Sequence, residues 1–97
     1  MTHYVLGRFR EAPDLAPVSA GEAERIRVAH LATLRRLEAD GSVMLSGSVE
    51  AGDVREAIVI FVTESVERAR QLVADDPAIV SGRLVLDVYT WNGPARG

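Results

Sequence analysis

Apolar and polar positions alternate over residues 3–9, "HYVLGRF", and the residue types suit a pleated surface, so the pattern predicts a first strand. The next stretch, "REAPDLAPV", carries two prolines that no regular element tolerates in its interior, and it reads as a loop. From there the period lengthens to that of a helix. Ser19 with Glu22 three residues later is a capping-box signature, and Gly41 supplies a permissive stop, which predicts a helix from about Ala20 to Asp40.

Two more strand-like runs follow, "VMLSGSVE" from Val43 and "AIVIFVT" from Ala57, joined by a turn containing Gly52 and Asp53. Val59, Ile60, Phe61 and Val62 are apolar on both faces, whereas Met44, Ser46 and Ser48 alternate with Leu45, Gly47 and Val49. The later strand of this hairpin is therefore expected to be the more central. Ser65 is placed to cap a second helix with the apolar stripe Val66, Ala69, Leu72 and Val73, ending near "ADDP". A fourth strand, "RLVLDVYTW", follows, and residues 93–97 read as a flexible tail.

The element order β-α-β-β-α-β predicts a single α+β domain over residues 1–92, of ferredoxin-like architecture. Two right-handed crossovers put both helices on one side of a four-stranded antiparallel sheet. The other side of the sheet has no cover within one chain. Val59, Phe61, Val85 and Tyr89 are expected to make it apolar, and a homodimer formed through that face follows as the expectation.

Composition narrows the class of partner. The 97 residues carry a net charge of -3 and a pI near 5.3, which gives no basic footprint for nucleic acid or for an anionic membrane surface. No apolar run is long enough to span a bilayer, and "MTHYVLGRFREAP" lacks the basic-then-apolar order of a secretion signal. Cysteine is absent, which removes disulfides, thiolate nucleophiles and thiolate metal sites and suits a reducing compartment. The expected location is the cytoplasm.

Against this plain background one residue is out of place. At about 100° per residue, the first helix gathers Ala23, Ile26, His30, Thr33, Leu34 and Leu37 in one arc, with His30 near its middle. A buried histidine satisfied by a hydrogen bond is one reading. A general acid/base is the other, because imidazole changes charge near neutral pH. A second signal lies in "ADDPAIVSG", where Asp76 is suited to cap a short helical turn with Pro77 in its first position. An aspartate there can also approach the first helix, and a carboxylate accepting a histidine Nδ1–H fixes the tautomer and stabilises the cation. His3, at the start of a strand, reads as solvated. Two histidines without ordered carboxylates make no metal site. Arg35 and Arg36 read as a solvated helix face, and Tyr89 and Trp91 share one face of the last strand, where they suit dimer packing or a pocket wall.

The stretches "AHLATLRRLEADGSVMLSGSV" and "SVERARQLVADDPAIVSGRLVLDVYTW" resemble the YciI-like (YCII-related) proteins. The shared pattern is a histidine-leucine on the first helix, a glycine ending it, a small-residue strand, an S-x-E-x-A helix start, an aspartate-proline pair and a glycine before the last strand. The resemblance implies a dimeric α+β barrel and an active-site pair that falls on His30 and on Asp76 rather than Asp75. Ser48 departs from the pattern, standing where the family usually has proline. On this footing the expected function is a small cofactor-free enzyme of the lyase or isomerase kind, acting on a small organic molecule, cyclic or aromatic ones included. His30 moves the proton, Asp76 orients it, and Ser46 or Ser48 hydrogen-bonds a substrate oxygen. The alternatives are a non-catalytic small-molecule-binding or regulatory dimer and a cofactor-independent oxygenase.

Overall fold

The computed structural model describes residues 2–52 and 54–93. Strand β1 (Thr2–Glu11) leads through a loop into helix α1 (Ala20–Ala39), then into the hairpin of β2 (Val43–Ala51) and β3 (Val54–Phe61). Helix α2 (Val66–Leu72), a single helical turn α3 (Pro77–Val80) and β4 (Leu84–Gly93) complete the order. The strands pair in the order β2-β3-β1-β4, every neighbour antiparallel, which is the ferredoxin-like arrangement. β3 is interior and β2 an edge, as the doubly apolar run of the former requires.

Local chemistry fixes the element ends. The Ser19 hydroxyl accepts from the Glu22 amide at 3.1 Å, whereas the Glu22 carboxylate turns outward to Arg25, so only half of the capping box forms. At the other end of α1, Gly41 adopts φ 84°, its amide donates to Glu38 and the Ser42 amide donates to Leu37, a Schellman stop. β1 runs two residues beyond its alternating stretch because Arg10 and Glu11 still pair with Val85 and Leu84; the strand stops just short of Pro13. The hairpin pairs Ala51 with Val54 across Gly52 at φ 61°; Asp53, the other expected turn residue, lies outside the described residues. Gly93, expected in a tail, pairs with Thr2 as the last residue of β4, while residues 94–97 of that tail lie outside the described residues.

The core lies between the sheet and the helices, where Val5, Phe9, Val59 and Phe61 meet Leu34, Leu37, Ala69 and Val73. Burying rings such as Phe9 and Phe61 stabilises the fold by about 1.5–3 kcal/mol each. Gly7 on β1 makes room for them: a Cβ there would stand 2.7 Å from Phe61 and 3.0 Å from Leu86. This placement corrects the expected composition of the uncovered face. Val59 and Phe61 point into the helix-side core, and the uncovered face instead carries Leu6, Ile58, Ile60, Val85, Tyr89 and Trp91. Among the described residues no helix is long and apolar enough to cross a membrane.

Candidate functional site

His30 sits midway along α1 on the arc that packs against the sheet, with Thr33, Leu34 and Leu37 buried on the same side. Its side chain is 8% exposed. The Phe9 ring on β1 meets it edge to face, centroids 4.8 Å apart, and so limits its tilt. Asp76 is brought to it by a backbone device. α3 begins with Pro77 in its first turn, and Asp76 takes the extended N-cap conformation, with Oδ1 accepting the Ala78 amide at 3.0 Å. The second oxygen, Oδ2, is left aimed at α1, 2.5 Å from His30 Nδ1. Asp76 is wholly buried, so each oxygen of a desolvated carboxylate has a donor. Asp75 points away and lies 3.9 Å from Arg36 on the surface.

No described residue hydrogen-bonds the other imidazole nitrogen, Nε2. His30 lines a cavity of about 320 Å³ at the end of the sheet where β1 and β2 finish and β3 and β4 begin. Phe9, Ala57 and Leu84 give its apolar wall, Ser48 and Glu50 its polar one, and Val49 and Glu56 border it between them. A neutral ring that donates Nδ1–H to Asp76 presents the Nε2 lone pair as a base, and Asp76 stabilises the cation formed when it takes a proton.

The two serines part company. Ser48 lines the cavity. Ser46 does not, because its hydroxyl donates to Glu38 on α1 at 2.6 Å, further along the strand. Glu50 and Glu56 were not anticipated from the chain. The β2-β3 register sets them apart: Glu50 keeps the phase of Ser48, on the helix side of the sheet, whereas Glu56 pairs with Val49 and turns its carboxylate to the uncovered face, 4.0 Å from Arg8. His3 lies partly buried at the far end of β1, with Nδ1 2.5 Å from Asn92 Oδ1. Among the described residues no three histidine, aspartate or glutamate side chains are grouped to hold a metal ion.

The uncovered sheet face has its own organisation. Arg8 and Arg10 on β1 both donate to Asp87 on β4, at 2.9 and 2.6 Å, and Glu56 approaches Arg8 at 4.0 Å. The guanidinium of Arg10, then that of Arg8, pulls the Asp87 carboxyl down to about 2. Beyond this charged patch, Leu6, Ile60, Tyr89, Thr90 and Trp91 form an apolar groove, with Trp91 tilted against Tyr4 at 5.8 Å.

A sequence model of the YCII-related domain matches residues 1–92. The chain belongs to the YCII-related family. Solved structures share its fold. The 5-chloro-2-hydroxyhydroquinone dehydrochlorinase TftG of Burkholderia phenoliruptrix, seen in complex with 2,5-dihydroxybenzoquinone, is similar over 93% of this chain and 95% of its own, with 23% identity and a TM-score of 0.63. SnoaB of Streptomyces nogalater, a cofactor-independent oxygenase, aligns over 99% of this chain and 97% of its own, at 10% identity and a TM-score of 0.54. A putative antibiotic biosynthesis monooxygenase of Deinococcus radiodurans covers 96% of this chain and 94% of its own, again at 10% identity and 0.54. No curated protein matches the chain. The YCII-related chain thus has a fold on which small-molecule enzymes are built, and at these identities that likeness concerns the fold alone.

Proposed function

We propose that this YCII-related protein is a cofactor-free acid/base enzyme that moves a proton on a small organic molecule, cyclic or aromatic ones included, in an elimination or isomerisation. The observation that carries the proposal is the buried His30–Asp76 pair, one imidazole nitrogen at 2.5 Å from a fixed carboxylate while His30 lines a cavity. Nε2 takes a proton from the substrate; the electron pair of the broken bond moves into the adjacent bond, where it expels a leaving group or relocates a double bond. The imidazolium then returns its proton to the leaving group or to the neighbouring atom. Asp76 holds the tautomer and the cation throughout, and Ser48 donates to a substrate oxygen. Positioned acid/base catalysis of this kind supplies about 10²–10⁴-fold.

The test begins with a thermal-shift screen of metabolites on the native protein and on His30→Ala, since a ligand that binds only the folded state raises its stability by mass action. With a substrate in hand, His30→Asn and His30→Gln are expected to lose most turnover while keeping their fold. Full activity in both would overturn the acid/base role in favour of a binding module.

The same proposal includes a homodimer formed through the uncovered sheet face and residence in the cytoplasm. Tyr89 and Trp91 are each about half exposed beside the apolar groove, which is surface a second copy would remove from water. The absence of cysteine suits the reducing compartment.

A further inference from the structure

The outer edge of the sheet carries a second cavity, apart from the His30 site. β4 ends the strand order, so one side of its backbone has no strand to pair with. Two contacts fix which residues face that side. The Arg83 carbonyl, just before β4, accepts from the Ala12 amide at 3.0 Å and so faces β1; three residues on, the Leu86 carbonyl accepts from Arg70 Nη1 on α2 at 3.2 Å and faces away. In an antiparallel strand the N–H and C=O of one residue point to the same side. The Leu86 N–H is therefore directed outward as well, on a residue only 6% exposed.

Between this edge and helices α2 and α3 lies a cavity of about 340 Å³, walled by Val73, Ile79, Leu84 and Leu86 and bordered by Gly82. Arg70 is the one charged side chain among its described lining residues, and it is exposed. The neighbouring acids are engaged elsewhere, Asp75 beside Arg36 and Asp76 with His30, and among the described residues no carboxylate lies within 4.0 Å of the Arg70 guanidinium. The bond to Leu86 holds that guanidinium at the cavity and uses one of its five N–H donors.

We infer that this cavity is a binding site for a small aliphatic carboxylate, its charge paired with Arg70 and its hydrocarbon laid against Val73, Ile79, Leu84 and Leu86. The wall is branched aliphatic and offers no ring for stacking, which favours a chain over an aromatic acid. Its volume stands near the lower end of small-molecule sites, at about 300–1,000 Å³. A neutral head leaves the guanidinium unanswered and a cationic one is repelled. Because Arg70 is exposed, the charge pair contributes no more than about fivefold in affinity, and the hydrocarbon supplies most of the rest. Leu84 lines both cavities, yet the inference does not depend on the role of His30.

The experiment titrates hexanoate, hexanamide and acetate into the whole chain near neutral pH at low salt, following the backbone amides and the Trp91 indole by NMR. Hexanoate is expected to bind at millimolar concentration or below and to shift the Val73, Gly82 and Leu86 amides most. Hexanamide, of the same shape without the charge, is expected to bind about three- to fivefold more weakly. Acetate, which lacks the buried methylenes, is expected to bind at least about tenfold more weakly. Arg70→Gln drops the charge while keeping a donor for the Leu86 carbonyl, and should bring hexanoate to the level of hexanamide. Arg70→Lys should retain the preference, and Arg68→Gln, an exposed arginine on the same helix outside the cavity, should leave it unchanged. Shifts centred on Ser48 would put the ligand in the His30 cavity, and shifts centred on Trp91 would put it on the uncovered face; either overturns the inference. So do equal binding of hexanoate and hexanamide, an unmoved preference in Arg70→Gln, no binding of hexanoate at millimolar concentration, or acetate binding as tightly as hexanoate, which marks an adventitious ion only.

Discussion

Removing the Asp76 carboxylate tests the site and the fold together, because its two oxygens do two different jobs. Oδ1 caps α3 through the Ala78 amide at 3.0 Å, and Oδ2 holds His30 Nδ1 at 2.5 Å, both away from water. In Asp76→Ala the cap is lost, at about 1 kcal/mol. The buried Nδ1–H is also left without an acceptor, at about 1–3 kcal/mol. The expected loss of stability is about 2–4 kcal/mol, a fall in Tm of at least about 8 °C for a domain of this size. In Asp76→Asn the side-chain oxygen keeps the cap, and the amide NH₂ donates to an imidazole that has moved its proton to Nε2. Both buried groups remain paired, and the cost falls to about 1 kcal/mol from the lost charge-assisted bond. Urea unfolding of the three proteins measures these differences, provided that the slopes agree. An Asp76→Ala variant within about 1 kcal/mol of the native protein, or an Asp76→Asn variant as unstable as Asp76→Ala, would refute the two-oxygen arrangement.

Other consequences are as specific. Gly7→Ala sets a methyl 2.7 Å from the Phe61 ring and is expected to cost about 1–3 kcal/mol, readable by thermal unfolding; a neutral substitution would show that the ring yields freely. Asp87 is held by Arg10 and Arg8 at about 2, below the unfolded value of about 4, so its contribution is complete above about pH 4 and fades as pH falls towards 2. Asp87→Asn should flatten the acid limb of the stability curve in that window, and an unchanged limb would remove the cluster from the explanation. Sedimentation at micromolar concentration is expected to show a dimer, and Trp91→Glu a monomer with the same circular dichroism spectrum; a compact native monomer would refute pairing through the uncovered face.

How much of this could be read along the chain follows from what each signal depends on. Caps and stops are local, so Ser19, Gly41, Ser65 and Asp76 mark the helix ends correctly without knowledge of the fold. The inward arc of α1 is equally local, and it placed His30 facing the sheet. Strand phase is not local where both faces are apolar. Ile58, Val59, Ile60 and Phe61 contain no alternation, and which of them face the helices is decided by register against β1, where Val59 lies opposite Gly7. That is why Val59 and Phe61 were expected on the wrong side. On β2 the register shift between Val43 and Leu45 changes the phase again. Ser46 and Ser48 looked equivalent in sequence, yet only the first reaches Glu38 at the C-terminal end of α1. The arrival of Glu50 beside Ser48 at the cavity mouth is a product of hairpin register and had no signature in the chain.

The most direct measurement is the tautomer of His30, read from the nitrogen chemical shifts and long-range couplings of its ring at a pH where the ring is neutral. With Asp76 accepting from Nδ1, the proton resides on Nδ1 and Nε2 is unprotonated and open to the cavity; in Asp76→Asn the proton moves to Nε2. A native ring carrying its proton on Nε2, or a tautomer indifferent to Asp76→Asn, would contradict the base assigned to His30 and the orienting role assigned to Asp76.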